Sequence, residues 1–239
     1  MTTPRSDQQR RLALIEEVRV SIDLLRDGLR ALQRIDGGND AYYTPLLLLA
    51  SGLERLMKTI LCYGVIEKKG SFPDKGGIPA THKLVALLNR ITESDWLNEY
   101  MSHPVAGEDL GYLRADAGLR PILQALSDFA DARRGRYYNL EIVLGQDPDW
   151  DSPEQAWSEL ETAVLQAHPD WEERVRDAAA MNRIYDDINE TLVARLERML
   201  RALARLFTLG ALGEEAARVT GLIAPFLFLL DEDLGRRRY

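Results

Sequence analysis

The chain has 239 residues, and 46% of them are hydrophobic, which is enough apolar material for one large domain or two small ones. Its formal net charge is −8 at pH 7 and its pI is near 5.1. This balance excludes a whole-surface affinity for nucleic acid or anionic lipid, because such binding needs a broad basic face. Any polyanion must therefore bind at a local site.

The composition also favours a reducing compartment. The chain has one cysteine, Cys62, so it cannot form an internal disulfide. Residues 1–10 are polar and lack the apolar segment of a secretory signal. The most apolar late stretch, residues 221–230, is too short to cross a bilayer, and Pro225 interrupts its helical hydrogen bonding. We expect a cytoplasmic protein that does not enter the membrane.

The first elements in the chain are helices. Apolar residues recur at steps of three and four from Leu12 to Leu32, which predicts a long amphipathic helix. A second helix begins after the turn at Pro45. Glycines and prolines make residues 68–80 a loop, and Thr81 is predicted to cap a third helix.

The later elements continue the helical pattern. A fourth helical region spans about residues 108–135, with a break at Pro121, and a long helix is predicted over 169–209, before a closing segment at 214–233. No segment of useful length alternates with a period of two. The sequence therefore predicts an all-α fold: an antiparallel helical bundle with a C-terminal helical extension.

An acidic segment separates two parts of the chain. Between Glu141 and Glu173 there are ten acidic residues and no lysine or arginine. Three tryptophans supply apolar area to anchor the segment to the rest of the protein: Trp150, Trp157 and Trp171. We predict a helical bundle over residues 1–145, on which the acidic segment and C-terminal helices of residues 146–239 pack as one continuous domain.

A polar cluster near a predicted helix end is the first candidate site. Around Gly135 lie three arginines, two tyrosines and an amide, namely Arg133, Arg134, Arg136, Tyr137, Tyr138 and Asn139. One interpretation is a helix C-cap, with the cations at the negative dipole end and the tyrosines packed into the bundle. A second is an anion or RNA-end site, or a polar patch at a dimer cleft, and a third is contact with the acidic segment.

Two further positions carry polar groups among helix-packing residues. Glu54 and Lys58 lie four apart on the second helix, a spacing that suits either a solvated pair within the helix or ligand binding. His82 follows the predicted cap of the third helix, where its ring can bond a neighbouring helix or act on a ligand. The three histidines lie far apart without metal-ligand spacing, so we predict no metal site, and no cofactor fingerprint occurs.

Residues 46–91 resemble the HEPN superfamily of small helical bundles found in prokaryotic toxins, defence systems and nucleotide-binding partners. A leucine-rich helix carries the sequence Leu-Glu-Arg-Leu-Met-Lys at 53–58, and a glycine-containing loop follows. Thr-His-Lys-Leu-Val-Ala-Leu-Leu at 81–88 then opens the next helix, as the family's Gly/Thr-His-x-Leu-x-x-Leu element does. The resemblance covers about residues 10–145.

The resemblance implies a location for a nuclease motif. In many HEPN proteins an arginine is followed after four to six residues by a histidine, and two protomers pair these groups in a metal-independent ribonuclease site. Here Arg134 is followed at the four-residue spacing by Asn139. An amide cannot take up a proton near neutral pH, so this departure argues against ribonuclease activity.

Three functions follow as hypotheses. The first is a non-catalytic or degenerate HEPN-like homodimer that binds RNA, a nucleotide or a partner protein through the region 134–139. The second is a metal-independent endoribonuclease of the toxin or defence type, in which His82 or Asn139 substitutes for the missing histidine. The third is a structural interaction module that uses the acidic segment as its contact surface.

Overall fold

The computed structural model describes residues 6–131, 135–146, 152–177 and 181–239, and in this part of the chain it is built from helices without a sheet. The all-α prediction is confirmed. Arg133, Arg134 and Trp150 lie outside the described residues. The helices are α1 (Asp7–Leu32), α2 (Tyr43–Lys69), α3 (Leu84–Thr92), α4 (Pro104–Ala115), α5 (Leu119–Ala130), α6 (Tyr138–Val143), α7 (Pro153–Gln166), α8 (Trp171–Arg176), α9 (Met181–Arg205), α10 (Gly213–Ala217) and α11 (Thr220–Leu227).

Local sequence sets the ends of the two longest early helices. Ser6 and Gln9 form a reciprocal capping box at the start of α1, in which each side chain accepts the other residue's backbone N–H. α2 ends at Gly70, whose φ of 65° is left-handed and whose N–H donates to the carbonyl of Ile66. Both helices therefore begin or end where their backbone groups find partners.

Two glycines allow α1 and α2 to pack closely. A Cβ on Gly28 would lie 2.8 Å from Leu49 Cγ, and a Cβ on Gly52 would lie 2.8 Å from Leu25 Cγ. These distances are shorter than carbon atoms tolerate, so each leucine fills the space left by the glycine opposite. Leu25 and Leu49 are both fully buried as a result.

The third helix begins later than the sequence predicts. α3 starts at Leu84, and Thr81 does not cap it, because the Thr81 hydroxyl accepts the N–H of Lys83 instead. The N–H of Leu84 donates to the hydroxyl of Ser127 on α5 over 2.9 Å. A cap from a distant helix thus replaces the local one.

The break in the fourth helical region lies before Pro121, not at it. α4 ends at Ala115, and one side-chain oxygen of Asp116 accepts the N–H groups of Gly118 and Leu119 at the start of α5. Pro121 falls in the first turn of α5, where a helix does not need its missing N–H. Asp116 is therefore the residue that separates the two helices.

The predicted long helix over 169–209 is divided. α8 ends at Arg176, and Asp177 is extended, with φ −93° and ψ 98°, before α9 resumes at Met181. The extended residue interrupts the chain of i to i−4 hydrogen bonds. The prediction of one continuous helix is wrong at this point.

The acidic segment is anchored through α7. Trp157 is fully buried, whereas Trp171 is only half-buried. Glu161, one turn after Trp157, is also buried and accepts the Tyr42 hydroxyl over 2.8 Å. Burial raises the pKa of Glu161. One acidic side chain of the segment thus belongs to the core, which also includes apolar residues of α1, α2, α9 and α11.

Within the described ranges, no helix combines the length and the apolar character needed to cross a membrane. The longest helices, α1 and α2, are amphipathic instead, because each has buried and exposed residues on different faces.

We expect Gly28→Val to lower the free energy of unfolding by about 2 kcal/mol, because overpacking a filled core typically costs about 1–3 kcal/mol. The added side chain must displace Leu49. Chemical denaturation monitored by circular dichroism measures the change. Gly111→Val on α4 is the matched control, since a Cβ there meets nothing within 4 Å. Equal stability of the two variants would contradict close packing of α1 against α2.

Candidate functional site

Glu54 is the centre of a hydrogen-bonded group at one side of α2. Its two carboxylate oxygens accept separately, one from Lys58 Nζ over 2.6 Å and the other at 2.8 Å from His82 Nδ1. Only 14% of the Glu54 side chain is exposed. The pair with Lys58 is therefore not a solvated surface pair, and a third residue from another segment joins it.

Hydrogen bonding keeps Glu54 charged despite its burial. Burial by itself raises the pKa of this carboxyl, but hydrogen bonds from Lys58 and His82 and their positive charges outweigh it. The net effect is a pKa below the ordinary value. Glu54 is thus a carboxylate at neutral pH and can orient a neighbouring imidazole.

The carboxylate fixes which nitrogen of His82 carries the hydrogen in a neutral ring. Because a carboxylate only accepts, the bond at 2.8 Å requires the hydrogen on Nδ1. In a neutral ring, Nε2 then carries the lone pair and can accept a hydrogen bond or a proton. The side chain of His82 is 60% exposed, so solvent and ligands reach it.

Two neighbouring hydrogen bonds hold the loop that carries His82. The Thr81 hydroxyl accepts the N–H of Lys83, and Ser127 receives the N–H of Leu84. These bonds restrain the backbone on both sides of the imidazole. His82 therefore stands on a fixed turn at the entrance to α3.

Arg136 reaches the same region from the end of α5. The N–H groups of Gly135 and Arg136 both donate to the carbonyl of Asp131, over 2.9 and 3.3 Å, and form a wide turn. A Cβ on Gly135 would lie 2.1 Å from the carbonyl oxygen of Phe129. Glycine is therefore required in the centre of the arginine and tyrosine cluster, since any side chain would push this turn away from α5.

Glu54, His82 and Arg136 line one open cavity of about 480 Å³, which we call the His82 cleft. Ser51 and Arg55 also line it, and apolar side chains complete the wall: Leu24, Leu47 and Leu48. The Arg55 guanidinium pairs with Glu17 of α1 over 2.7 Å. In the described part of the chain, no carboxylate pairs with Arg136, which is exposed. Arg136 is therefore the cation with unused binding capacity in the cleft.

The structure separates the predicted cluster into two parts. Arg136 lines the cleft with Glu54 and His82, Lys58 bonds Glu54 without lining the cleft, and Asn139 is exposed and does not line it. Tyr138 is half-buried, but Tyr137 is 53% exposed, so it does not pack into the bundle as the helix-cap interpretation expects.

Sequence reasoning missed several residues that build the cleft. Ser51 and Arg55 lie within one turn of Glu54, so helical periodicity could have placed them on a common face. Ser127 and Tyr43 gave no such signal, because they act across the fold. Tyr43 packs edge-on against Phe129 with 5.2 Å between ring centroids, and its hydroxyl lies 3.5 Å from the carbonyl of Arg136.

No protein-family model, curated protein or solved structure matches the chain. The resemblance to HEPN proteins therefore stays a prediction. The chemistry of the His82 cleft is the evidence that bears on function. In the described residues, no group of three or more histidine, cysteine, aspartate or glutamate side chains is arranged to hold a metal ion.

We expect Glu54→Gln to destabilise the protein by about 1–2 kcal/mol at neutral pH, because hydrogen bonds to a charged group are lost. The pKa of Glu54 is lowered in the folded state, so its stabilising effect is full above the unfolded pKa of about 4.3. It disappears as the pH falls through the lower, folded pKa. Denaturant unfolding of both proteins between about pH 3 and pH 7 measures the difference in their free energies of unfolding.

Glu16→Gln provides the control for this titration. Glu16 pairs with Arg19 on the surface of α1, where its side chain is 57% exposed. Its substitution should change stability little at any pH. A Glu54→Gln protein whose stability follows the wild type at every pH would show that the hydrogen bonds to Glu54 do not form.

Proposed function

We propose that the His82 cleft binds RNA or a nucleotide through a phosphate group. The observation that carries this proposal is the exposed Arg136 guanidinium, which has no carboxylate partner among the described residues and opens into the same cavity as His82. A guanidinium offers a fork of donors that matches phosphate oxygens. The resemblance to HEPN proteins, some of which bind nucleotides, points to the same class of ligand.

The shape of the cleft suits one nucleotide unit. Its volume of about 480 Å³ lies in the range of small-molecule sites, about 300–1,000 Å³. Leu24, Leu47 and Leu48 give an apolar wall on which a base or ribose ring can pack. His82 Nε2 is an acceptor for a ribose hydroxyl. The cleft therefore combines a donor for phosphate, an acceptor for ribose and an apolar surface.

The charges around the cleft indicate weak, local attraction to RNA. Arg55 is neutralised by Glu17, and Lys58 is neutralised by Glu54, which leaves Arg136 as the uncompensated cation. The whole chain carries a net charge of −8, which repels a long polyanion. We infer that the cleft contacts about one phosphate and that the protein does not bind along a long stretch of RNA.

Arg136→Gln should lower the affinity for a short single-stranded RNA about tenfold or more, since a charged hydrogen bond is lost. The slope of log affinity against log salt should become smaller by about 0.7, the value for one phosphate on a single strand. Fluorescence anisotropy at several salt concentrations measures both quantities.

Arg19→Gln is the matched control for Arg136→Gln, because Arg19 is an exposed arginine of α1 that does not line the cleft. It removes the same charge and should leave affinity and salt slope almost unchanged. Equal losses in both variants would mean that RNA responds to net charge and not to the cleft.

A second candidate function, metal-independent RNA cleavage, is favoured by the bond between Glu54 and His82. A carboxylate that orients an imidazole leaves the other ring nitrogen free to take a proton, here that of a ribose 2′-hydroxyl. Arg136 would stabilise charge on the phosphate. Of the two residues proposed to substitute for the missing histidine, His82 is supported by this geometry, whereas Asn139 lies away from the cleft.

If the protein is a ribonuclease, His82→Gln should lower the cleavage rate about 100-fold or more in the presence of EDTA, since general base catalysis contributes about 10²–10⁴. Glu54→Gln should lower it less, and both variants should still bind RNA. Gel analysis of end-labelled RNA measures cleavage. Wild-type protein that binds RNA and leaves it intact would exclude this function and retain the binding function.

We also propose a homodimer, as the resemblance implies. α6 and the residue after it expose apolar side chains next in sequence to the Arg136 turn, with Val143 79% and Leu144 65% exposed. An exposed apolar patch of this kind favours association with another protein surface. A second copy of the chain would bring a second His82 cleft close to the first.

A further inference from the structure

A second cavity lies far along the α1 and α2 pair from the His82 cleft. It has a volume of about 330 Å³, and we call it the Tyr63 cavity after a residue that lines it. It is bounded by the start of α1, the end of α2, the loop that follows α2, and α10. Its apolar wall is formed by Leu14, Ile15, Ile66 and Phe72.

Tyr63 places an unbonded hydroxyl in this apolar setting. The residue is only 3% exposed, and its ring packs edge-on against Phe207 at 5.7 Å between centroids. Among the described residues, its hydroxyl forms no hydrogen bond, and the oxygen is not one of the fully buried side-chain atoms that lack a partner, so it is accessible from the cavity. Burial, followed by the negative charge of Glu215, raises the pKa of Tyr63 to about 12. The hydroxyl is therefore neutral and available as a donor near Glu215.

Two arginines at the same end share one carboxylate. Arg11 Nε lies 3.5 Å and Arg218 Nη1 lies 3.2 Å from the same oxygen of Glu215. Each guanidinium has five N–H donors, and within the described ranges Glu215 is the carboxylate that both contact, which leaves most of these donors without a protein partner there. One negative and two positive groups give this trio a charge of +1, and both arginines contact the same oxygen of Glu215, so its other oxygen remains an acceptor beside the guanidinium donors.

The other charged groups do not offer the same capacity. Arg10 stacks on Phe72 at 4.4 Å from the ring centroid and donates to the carbonyl of Pro73 over 2.8 Å, so it forms a fixed part of the wall. Asp7 lies 4.0 Å from Arg10 and balances its charge. Asp74 is the third carboxylate of the lining, so the charges of the three acidic and three basic lining residues sum to zero. The cavity therefore combines guanidinium and hydroxyl donors near Glu215 with a wall of apolar side chains.

We propose that the Tyr63 cavity binds a small organic carboxylate with an apolar body, with the carboxylate at Arg11, Arg218 and Tyr63. The carboxylate would supply the acceptor that the Tyr63 hydroxyl lacks and would use the spare guanidinium donors. The apolar body would cover Leu14 and Ile15, which are half-buried at the cavity wall. This site is separate from the His82 cleft and does not rest on its proposed function.

Calorimetric titration of the wild-type protein with octanoate, octanol and octylammonium tests the ligand class. These probes share their apolar chain and differ in the head group. We expect octanoate to bind with a dissociation constant of about 10⁻⁴ M, and the other two to bind about tenfold or more weakly, because neither offers a charged acceptor to the guanidinium groups. Comparable affinity of octanol or octylammonium, or no binding of octanoate at millimolar concentration, would overturn the proposal.

Substitutions locate the site. Tyr63→Phe keeps the ring against Phe207 and should weaken octanoate binding about fivefold, while Arg11→Gln/Arg218→Gln should weaken it about tenfold or more. Arg136→Gln in the His82 cleft should bind octanoate as the wild type does. Circular dichroism checks that each variant is folded, and the comparison of the three probes on wild-type protein does not depend on any variant. If octanoate binds Tyr63→Phe and Arg11→Gln/Arg218→Gln as tightly as the wild type, the ligand lies elsewhere and the proposal is contradicted.

Discussion

The close approach of α1 and α2 is the constraint on which both cavities depend. Gly28 and Gly52 let the leucines opposite them fill the helix interface, so the two helices run together over most of their length. The His82 cleft uses Leu24 of α1 and several residues of α2 near the middle of this pair. The Tyr63 cavity uses the beginning of α1 and the end of α2. A wider separation of the helices would change the walls of both cavities.

Environment, and not residue type, gives the buried glutamates different roles. Glu161 and Glu197 have pKa values that burial raises, and each accepts the hydroxyl of a tyrosine, Tyr42 or Tyr239. Glu54 is also largely buried, but Lys58 and His82 lower its pKa. The first two carboxyls therefore join distant parts of the fold, whereas the third remains charged and orients an imidazole.

Helical periodicity predicted the fold class and most helices, because an apolar stripe at steps of three and four requires only local information. It failed where contacts between distant segments determine where a helix starts or whether a residue is buried. Ser127 supplies the partner for the first N–H of α3, which moved the helix start away from Thr81. Leu12 belongs to the apolar stripe of α1 but is 61% exposed. Periodicity identifies the apolar face of a helix, but it does not show which part of that face another segment covers.

The candidate site was predicted in part for the same reason. Glu54 and Lys58 follow from spacing on one helix, and the sequence marked His82 and Arg136 as unusual polar groups. Their convergence depends on how three segments pack, including the buried Gly135 turn, and spacing carries no information on that. Asn139 lies only three residues after Arg136, yet it does not line the cleft.

The central claim is that Glu54 holds His82 in a cleft that binds a nucleotide phosphate. Nitrogen NMR of the three histidine side chains during titration with a nucleoside monophosphate tests it most directly. We predict that neutral His82 carries its hydrogen on Nδ1, and that its resonances shift on titration while those of His103 and His168 do not. A His82 ring with its hydrogen on Nε2 and resonances that the nucleotide leaves unchanged would contradict the account.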